Sequence, residues 1–304
     1  MTAEFLSICI PTRNRGHLVR DLLASIVREI RVAGLTAADV RVHVFDNGST
    51  DGTGEAVRAA IQGAEAYVEY TRHPQNIGAA GNQLLCARTG AGRYRWVIGD
   101  DEVLAEGALP YVLDILRREA PAWFIVADGG RYGRGLGLPR WFRDVREFVM
   151  VAKVSDPETL MTAGGWSMNI FRSDCFDHGL AQSHAGDSTY PHFFGMMKGL
   201  RDGGGRVFFT DRPTVLFREV RPPPPDNELP ANSDLNWRRC LEWLRTEFEV
   251  PDLDPGVQSR LVSEQWMRDA LRHPWRTFRN NARLFLIPGT WVRVFKRLWY
   301  FARR

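Results

Sequence analysis

Three consecutive acids, Asp100, Asp101 and Glu102, stand directly after the apolar run Trp96–Ile98 in the sequence RYRWVIGDDEVL. The run predicts a buried strand, so the carboxylates would lie partly desolvated at its end, where like charges repel one another. Two explanations are open. The acids could form a solvated turn whose carboxylates favour a helix start, or they could bind a divalent cation whose charge offsets the repulsion.

The segments around these acids alternate between strand-like and helix-like patterns. Short, mostly apolar strands are predicted at 5–10, 40–45, 66–70, 94–98 and 122–127. An amphipathic helix is predicted from the spacing of Val19, Leu22, Leu23, Ile26, Val27 and Ile30, and further helices at 78–88 and 109–116. This alternation predicts an α/β fold, with a mostly parallel, doubly wound sheet covered by helices.

Two other polar groups follow strands of this predicted sheet. Pro11, Thr12 and Arg13 come after the first strand, and Asp46 ends the second. Ligands of such sheets bind beyond the carboxyl ends of the strands, so these residues and the acids would share one edge. Mg²⁺ and Mn²⁺ take carboxylate oxygens, and Mg²⁺ commonly shares its coordination sphere with substrate phosphates. The pattern therefore favours a cation–diphosphate site.

Four segments stand in the order found in the family 2, GT-A fold glycosyltransferases. They are SICIPTRNR, VFDNGSTDGT, NIGAAGN and the D-x-D-type segment WVIGDDEVL. About the first 220 residues resemble that family, and W-x-x-G-D-D is similar to its abequosyltransferase-like bacterial polysaccharide branch. The resemblance implies a hexosyltransferase-type enzyme of bacterial polysaccharide or glycoconjugate biosynthesis. Such an enzyme moves a sugar from a nucleotide-diphosphate sugar to a saccharide or lipid-linked saccharide.

The resemblance also implies a nucleotide site and a cation site. Six residues are expected to line the nucleotide pocket or support the nucleotide: Pro11, Thr12, Arg13, Asn76, Gly78 and Asn82. Asp100 is expected to lie near the ribose or the sugar. Asp46 is expected to accept a hydrogen bond from a pyrimidine base, which favours a UDP- or dTDP-sugar. Asp101 and Glu102 are expected to bind Mn²⁺ or Mg²⁺, although many relatives have Asp at the position of Glu102.

Several of these residues also have an ordinary structural explanation. Asp46 could cap the turn that follows it. Asn76 could be a turn residue before Gly78. Arg13 could be a solvated surface arginine, although its donors suit a diphosphate.

The acceptor side needs a base, because the attacking hydroxyl loses its proton during transfer. The resemblance implies inversion in a single displacement, with the base before a helix in the region SHAGDSTYPHFFGMM. Asp187 fits that place, and His192 is its rival because histidine titrates near neutrality; either could instead be structural. Trp166 and Asn169 match the family's acceptor loop and are expected to contact the acceptor, while a tryptophan is also common in cores.

The domain organisation follows from composition. We expect a GT-A domain over 1–220, with a nucleotide-binding half at 1–128 and an acceptor-binding half at 129–220. Its Gly- and Arg-rich segment 129–146 predicts a loop. The remainder, 221–304, is expected to be a Pro-rich linker followed by a helical, basic C-terminal extension, with helices around 235–249 and 257–272.

The C-terminal segment 275–304 carries the basic character of the chain. It holds eight Arg and Lys and no acid, so the net charge of +4 leaves 32 basic against 36 acidic residues elsewhere. Its mixture of aromatic and basic residues favours an anionic membrane surface, which suits a polyprenyl-linked acceptor. A helical hairpin packed on the domain is the alternative, and no nucleic-acid motif supports an RNA or DNA partner.

The remaining sequence features narrow the class of protein. The four cysteines are scattered without a C-x-x-C pair, and neither a secretion signal nor an apolar run long enough to span a membrane is recognised. This predicts a cytoplasmic protein, or one peripheral on the inner face of the plasma membrane. The first strand lacks the G-x-G-x-x-G of Rossmann dehydrogenases and the Gly-rich basic loop of nucleotidyltransferases. A non-catalytic nucleotide-binding module stays open as an alternative to the enzyme.

Overall fold

The computed structural model describes residues 4–126, 138–155, 157–186, 188, 190–218, 229–250 and 253. The chain divides into two compact units, Met1–Arg221 and Pro222–Arg304. In the second unit, helix α8 spans Leu229–Glu247 and includes most of the helix predicted at 235–249. The helix predicted at 257–272 and the basic segment 275–304 lie outside the described residues.

The first unit alternates strands and helices. Its strands are β1 Leu6–Thr12, β2 Val40–Asp46, β3 Val68–Arg72, β4 Tyr94–Val97, β5 Glu102–Leu104, β6 Trp123–Val126, β7 Arg140–Phe142, β8 Asn169–Arg172, β9 Val207–Thr210 and β10 Val215–Phe217. Its helices are α1 Gly16–Val32, α2 Thr53–Ala60, α3 Ala79–Arg88, α4 Ala108–Glu119, α5 Val145–Ser155, α6 His178–Ser183 and α7 Pro191–Gly203, with 3₁₀ segments at Pro157–Gly164 and Trp166–Met168.

Eight strands form one sheet in the order β3-β2-β1-β4-β8-β6-β9-β7. Neighbours from β3 to β4 are parallel, as are β6 and β9, whereas β8 and β7 run antiparallel to their neighbours. The predicted mostly parallel sheet is therefore confirmed. Thr12 pairs with Asp46 in the register of β1 and β2, so two of the predicted site residues are neighbours at the carboxyl edge.

Helices cover both faces of the sheet. On one face, Leu6, Ile8 and Ile10 of β1 belong to the same buried cluster as the apolar stripe of α1 and the buried side of α4. On the other face, Phe148 of α5 packs edge-on against Trp123 of β6. Burying alternate residues of each strand in two separate cores fixes which side chains project at the strand ends.

One local prediction was wrong in part. The segment 129–146, expected to be a loop, contributes the edge strand β7 and the start of α5 at Val145, while residues 127–137 lie outside the described part of the chain. Phe142 is buried, and the ring of Trp141 packs 4.6 Å from that of Phe208. Burial of Phe142 and the packing of Trp141 on Phe208 outweigh the loop-like Gly and Arg composition around them.

Within the described ranges, none of the helices combines the length and the apolar composition that crossing a bilayer requires.

Candidate active site at the carboxyl edge of the sheet

Asp100 joins the ends of strands β1 and β4. Its buried carboxylate accepts a hydrogen bond of 2.7 Å from Thr12 Oγ1 and one of 2.9 Å from Arg15 Nη1. Arg15 Nη1 also lies 3.4 Å from Asp101 Oδ2. Burial raises the pKa of Asp100, and the charge of Arg15 and the hydroxyl of Thr12 oppose that effect. The first of the three acids is thus balanced by protein donors rather than left free.

Asp101 and Glu102 face a common space above Gly99. A Cβ added to Gly99 would lie 2.9 Å from Asp101 Oδ1 and 3.5 Å from Glu102 Oε1. Glu102 Oε2 is buried and has no hydrogen-bond partner among the described residues. Burial raises the pKa of Glu102 to about 8, although a hydrogen bond with Ser167 acts in the opposite direction. The carboxylates of Glu102, with its unpartnered buried oxygen, and of Asp101 beside it are therefore suitable ligands for a hard cation.

The three acids do not all converge on one point. Across the described ranges, no set of three or more His, Cys, Asp or Glu side chains is arranged to hold a metal ion. Asp100 is turned towards Thr12 and Arg15, which leaves two carboxylates for a cation. Two are sufficient where substrate phosphates complete the coordination sphere, as is usual for Mg²⁺.

Arg218 and Ser167 hold the acidic loop from two sides. Arg218, just after β10, donates from Nε to the backbone oxygen of Asp101 at 2.9 Å and from Nη1 to Asp21 Oδ2 on α1 at 3.0 Å. Ser167 Oγ accepts the backbone N–H of Gly99 at 2.9 Å. Neither residue was predicted, because each reaches the loop from a remote part of the sequence.

Asp46 is fully buried, and both of its carboxylate oxygens have partners. Oδ1 accepts the backbone N–H of Ser49 at 2.8 Å, and Oδ2 accepts the hydroxyl of Tyr70 at 2.7 Å. The Ser49 contact is the turn-capping role considered as the alternative for Asp46. Contact with a nucleobase stays a prediction. Tyr70 and Arg72 were not predicted, although Arg72 pairs with Asp46 in the register of β3 and β2.

The segment 75–78 is fastened to the turn after β2. Asn47 Nδ2 donates to Asn76 Oδ1 at 2.8 Å and to the backbone oxygen of Gly78 at 3.1 Å. Gly48 has a positive φ, and a Cβ there would lie 2.9 Å from the carbonyl carbon of Gln75. Asn76 Oδ1 also accepts the N–H of Gly78, which is the turn role considered for Asn76.

Asn82 contacts the end of β2 and the segment that follows β3. Its buried amide donates from Nδ2 to the backbone oxygen of Phe45 at 2.9 Å, and its Oδ1 lies 3.0 Å from His73 Nε2. Asn82 therefore positions the end of β2.

Pro11, Arg13 and Arg15 differ in how they are placed at the end of β1. Pro11 is half-buried, and Arg13 is exposed without a hydrogen bond to any described residue. Arg15, which was not predicted, makes the ion pairs with the acids. The signal for it was present in the segment PTRNR, but sequence alone does not say which of its two arginines turns towards the acids.

The acceptor-side residues predicted from the sequence support one loop. His192 is buried, donates from Nε2 to the backbone oxygen of Gly164 at 3.1 Å and stacks on Trp166 with ring centroids 3.8 Å apart. Burial lowers the pKa of His192 to about 3, so the ring is neutral at physiological pH. This is the environment of a packing residue, the alternative considered for His192. Asp187 lies outside the described residues.

Asn169 has its side-chain amide fully engaged within the protein. Nδ2 donates to the backbone oxygens of Thr162 and Gly165, and Oδ1 accepts the indole N–H of Trp123 at 2.9 Å. Asn169 therefore shapes the loop before Trp166. Trp166 is half-buried, with part of its surface accessible, and its contact with an acceptor stays a prediction.

Comparison with known proteins identifies relatives of this chain. Residues 7–174 match Glycosyl transferase family 2. Abequosyltransferase RfbV of Salmonella typhimurium is 28% identical over 227 residues, which cover 70% of this chain and 66% of that protein.

Two solved structures resemble the fold of this chain. S. aureus TarS 1–349, in complex with UDP-GlcNAc, has a TM-score of 0.57 at 14% identity. The match covers 88% of this chain and 72% of the TarS chain. Mannosyltransferase PcManGT from Pyrobaculum calidifontis, in complex with GDP-Man and Mn²⁺, has a TM-score of 0.57 at 15% identity. The match covers 99% of this chain and 86% of the mannosyltransferase chain. These likenesses confirm the predicted GT-A fold. The chain spans less than two thirds of the abequosyltransferase and 43% of the longer TarS chain.

The raised pKa of Glu102 predicts a specific pH dependence of stability. Its carboxyl keeps a proton in the folded protein up to about pH 8, whereas its ordinary pKa of 4.5 applies after unfolding. The unfolding free energy should therefore fall as pH rises through this window. Glu102→Gln cannot titrate and should remove a fall of up to about 5 kcal/mol between pH 4.5 and pH 8, measured by urea denaturation in EDTA. Glu106→Gln, at an exposed position, is the matched control. Equal pH slopes in all three proteins would contradict the assignment.

Proposed function

Because this chain belongs to glycosyl transferase family 2, we propose that it transfers a sugar from a nucleoside-diphosphate sugar to a saccharide or lipid-linked saccharide acceptor. Family membership confirms the predicted enzyme class, a glycosyltransferase. The abequosyltransferase relative supports a role in bacterial polysaccharide or glycoconjugate biosynthesis. The donor, the acceptor and the residue roles that follow are part of the proposal.

The observation that carries the proposal is the joining of three strand ends into one polar edge. Thr12 of β1 bonds to Asp100 after β4, and Asp46 of β2 lies beside Thr12 in the sheet register. This is where an α/β sheet binds its ligand. The two structural neighbours were solved with UDP-GlcNAc and GDP-Man, which supports a nucleoside-diphosphate sugar as the donor. The predicted base contact of Asp46 favours UDP or dTDP.

We place a divalent cation, Mn²⁺ or Mg²⁺, at the carboxylates of Asp101 and Glu102. The unpartnered oxygen of Glu102 and the convergence of both side chains above Gly99 support this choice. A cation bound there supplies positive charge that stabilises the leaving diphosphate. Arg13, exposed at the end of β1, is placed to donate to the same phosphates. Asp100 fixes Arg15 and the acidic loop instead of acting as a ligand.

On the acceptor side, we assign Asp187 as the base that takes the proton of the attacking hydroxyl in an inverting displacement. A carboxylate is suited to this role when it lies within hydrogen-bond reach of the acceptor. The burial of His192 supports Asp187 over its rival, because a neutral ring that donates to Gly164 is committed to the loop. The accessible part of Trp166 would stack on the acceptor sugar.

Binding calorimetry tests the cation site. UDP, dTDP, GDP and CDP are titrated with Mn²⁺, with Mg²⁺ and with EDTA. We expect one nucleotide to bind the wild type at about micromolar concentration, and Asp101→Asn to weaken it at least about tenfold with Mn²⁺ but not with EDTA. Asp114→Asn, an exposed acid on α4 paired with Arg118, should bind as the wild type does. Binding that is indifferent both to EDTA and to Asp101 would rule out this cation site.

Slow hydrolysis of the donor without acceptor tests the base. Asp187→Asn should lower its rate about 100-fold, because water is no longer deprotonated, while nucleotide affinity stays within about threefold. Asp202→Asn, an exposed acid of α7 paired with Lys198, is the control. A normal rate in Asp187→Asn, together with loss of the rate in His192→Phe, would transfer the role to His192.

The basic segment 275–304 supports a further part of the proposal, attachment to an anionic membrane surface that carries a lipid-linked acceptor. Eight basic residues and no acid would contribute about 1 kcal/mol each near anionic lipid. The full chain should float with vesicles containing phosphatidylserine at low salt, and less at high salt. Equal flotation with neutral phosphatidylcholine vesicles would contradict electrostatic attachment.

A further inference from the structure

Arg15 contacts two of the three acids with unequal strength. Its Nη1 lies 2.9 Å from Asp100 Oδ1 and 3.4 Å from Asp101 Oδ2. The side chain of Asp100 is only 6% exposed, whereas that of Asp101 is 34% exposed and that of Arg15 is 37% exposed. The contact with Asp101 is therefore the longer and more solvated one, and it is the one that can be exchanged.

We propose that Arg15 competes with the divalent cation for Asp101 and, once displaced from it, pairs with the diphosphate of the donor. This inference rests on the proposed function, because it assigns Arg15 a role at the same cation site. Arg15 would then be both a phosphate-binding residue and a positioning residue for Asp101.

The backbone beneath Arg15 is fixed, which confines any movement to its side chain. Arg15 donates its N–H to Thr53 Oγ1 at 3.1 Å. The preceding residue, Asn14, donates its N–H to Ser49 Oγ and accepts the N–H of Thr50, both at 2.9 Å. These contacts hold the turn after β1 against the turn after β2. The backbone of Arg15 therefore stays in place while its guanidinium changes contacts.

The geometry opposes full occupation of Asp101 by both charges. Oδ2 of Asp101 faces Arg15, while Oδ1 faces the space above Gly99 that it shares with Glu102. A cation at Oδ1 and the guanidinium at Oδ2 would be two positive charges on one carboxylate. A like charge a few ångströms away changes the affinity for an ion about tenfold. A diphosphate resolves this conflict, because its oxygens match the planar donors of arginine.

Manganese binding without nucleotide is the direct test, measured as the loss of the free Mn²⁺ signal in electron paramagnetic resonance. We expect Arg15→Gln to bind Mn²⁺ about tenfold more tightly than the wild type, and Arg15→Lys, which keeps the charge, to stay within about threefold of it. Arg28→Gln, on helix α1 directly after the turn that holds Arg15, removes a guanidinium paired with Glu29 and should match the wild type. A purely structural role for Arg15 would instead loosen the acidic loop and weaken Mn²⁺ binding.

The second step is tested by calorimetry at saturating Mn²⁺, with UDP, dTDP, GDP and CDP as probes. Arg15→Gln should bind the preferred nucleotide about tenfold more weakly than the wild type does, although it binds Mn²⁺ more tightly. An unchanged nucleotide affinity would overturn the pairing with the diphosphate.

The outcomes separate this inference from the proposed function. Mn²⁺ binding by the wild type that is unchanged or weaker in Arg15→Gln would overturn the competition and leave the cation site in place. No Mn²⁺ binding by either protein, with or without nucleotide, would overturn the cation site and the inference together.

Discussion

The arrangement of the site depends on one buried carboxylate, that of Asp100. Because it accepts both Thr12 and Arg15, it ties the end of β1 to the turn after β4 and sets the direction in which the next two acids leave the strand. A buried carboxylate without such partners would be costly, so these two donors stabilise the whole acidic turn. The aromatic and aliphatic cores on the two faces of the sheet hold β1 and β4 side by side, and this pairing makes the contact possible.

Repulsion among the three acids is relieved by a different means at each position. Asp100 has Arg15 and Thr12, Asp101 is partly solvated, and burial leaves Glu102 protonated near neutrality. Arg218 adds a donor to the backbone of the same turn. The turn is therefore stable as a protein structure and still presents two oxygen-bearing side chains to one space.

The alternation of strands and helices was predictable, because apolar periodicity reports directly on burial. The polar edge was predictable as well, since residues that follow parallel strands meet at one edge. The side chains that bond to the acids could not be predicted from the sequence. Arg15 bonds to Asp100 across 85 residues, and Arg218 reaches Asp101 across 117, and no local pattern encodes such distances. Buried roles were also hidden. Asn169 and His192 carry polar groups that suit a substrate, yet Asn169 Nδ2 and His192 Nε2 donate to backbone oxygens of the segment before Trp166.

In the proposed function, Asp101 and Glu102 hold the cation that binds the donor's diphosphate. The most direct measurement is an anomalous difference map from crystals grown with Mn²⁺ and the nucleoside diphosphate that binds best. We expect one manganese peak above Gly99, contacting the carboxylates of Asp101 and Glu102 and at least one phosphate oxygen. A nucleotide bound at the carboxyl edge with manganese located elsewhere, or with no manganese at all, would contradict it.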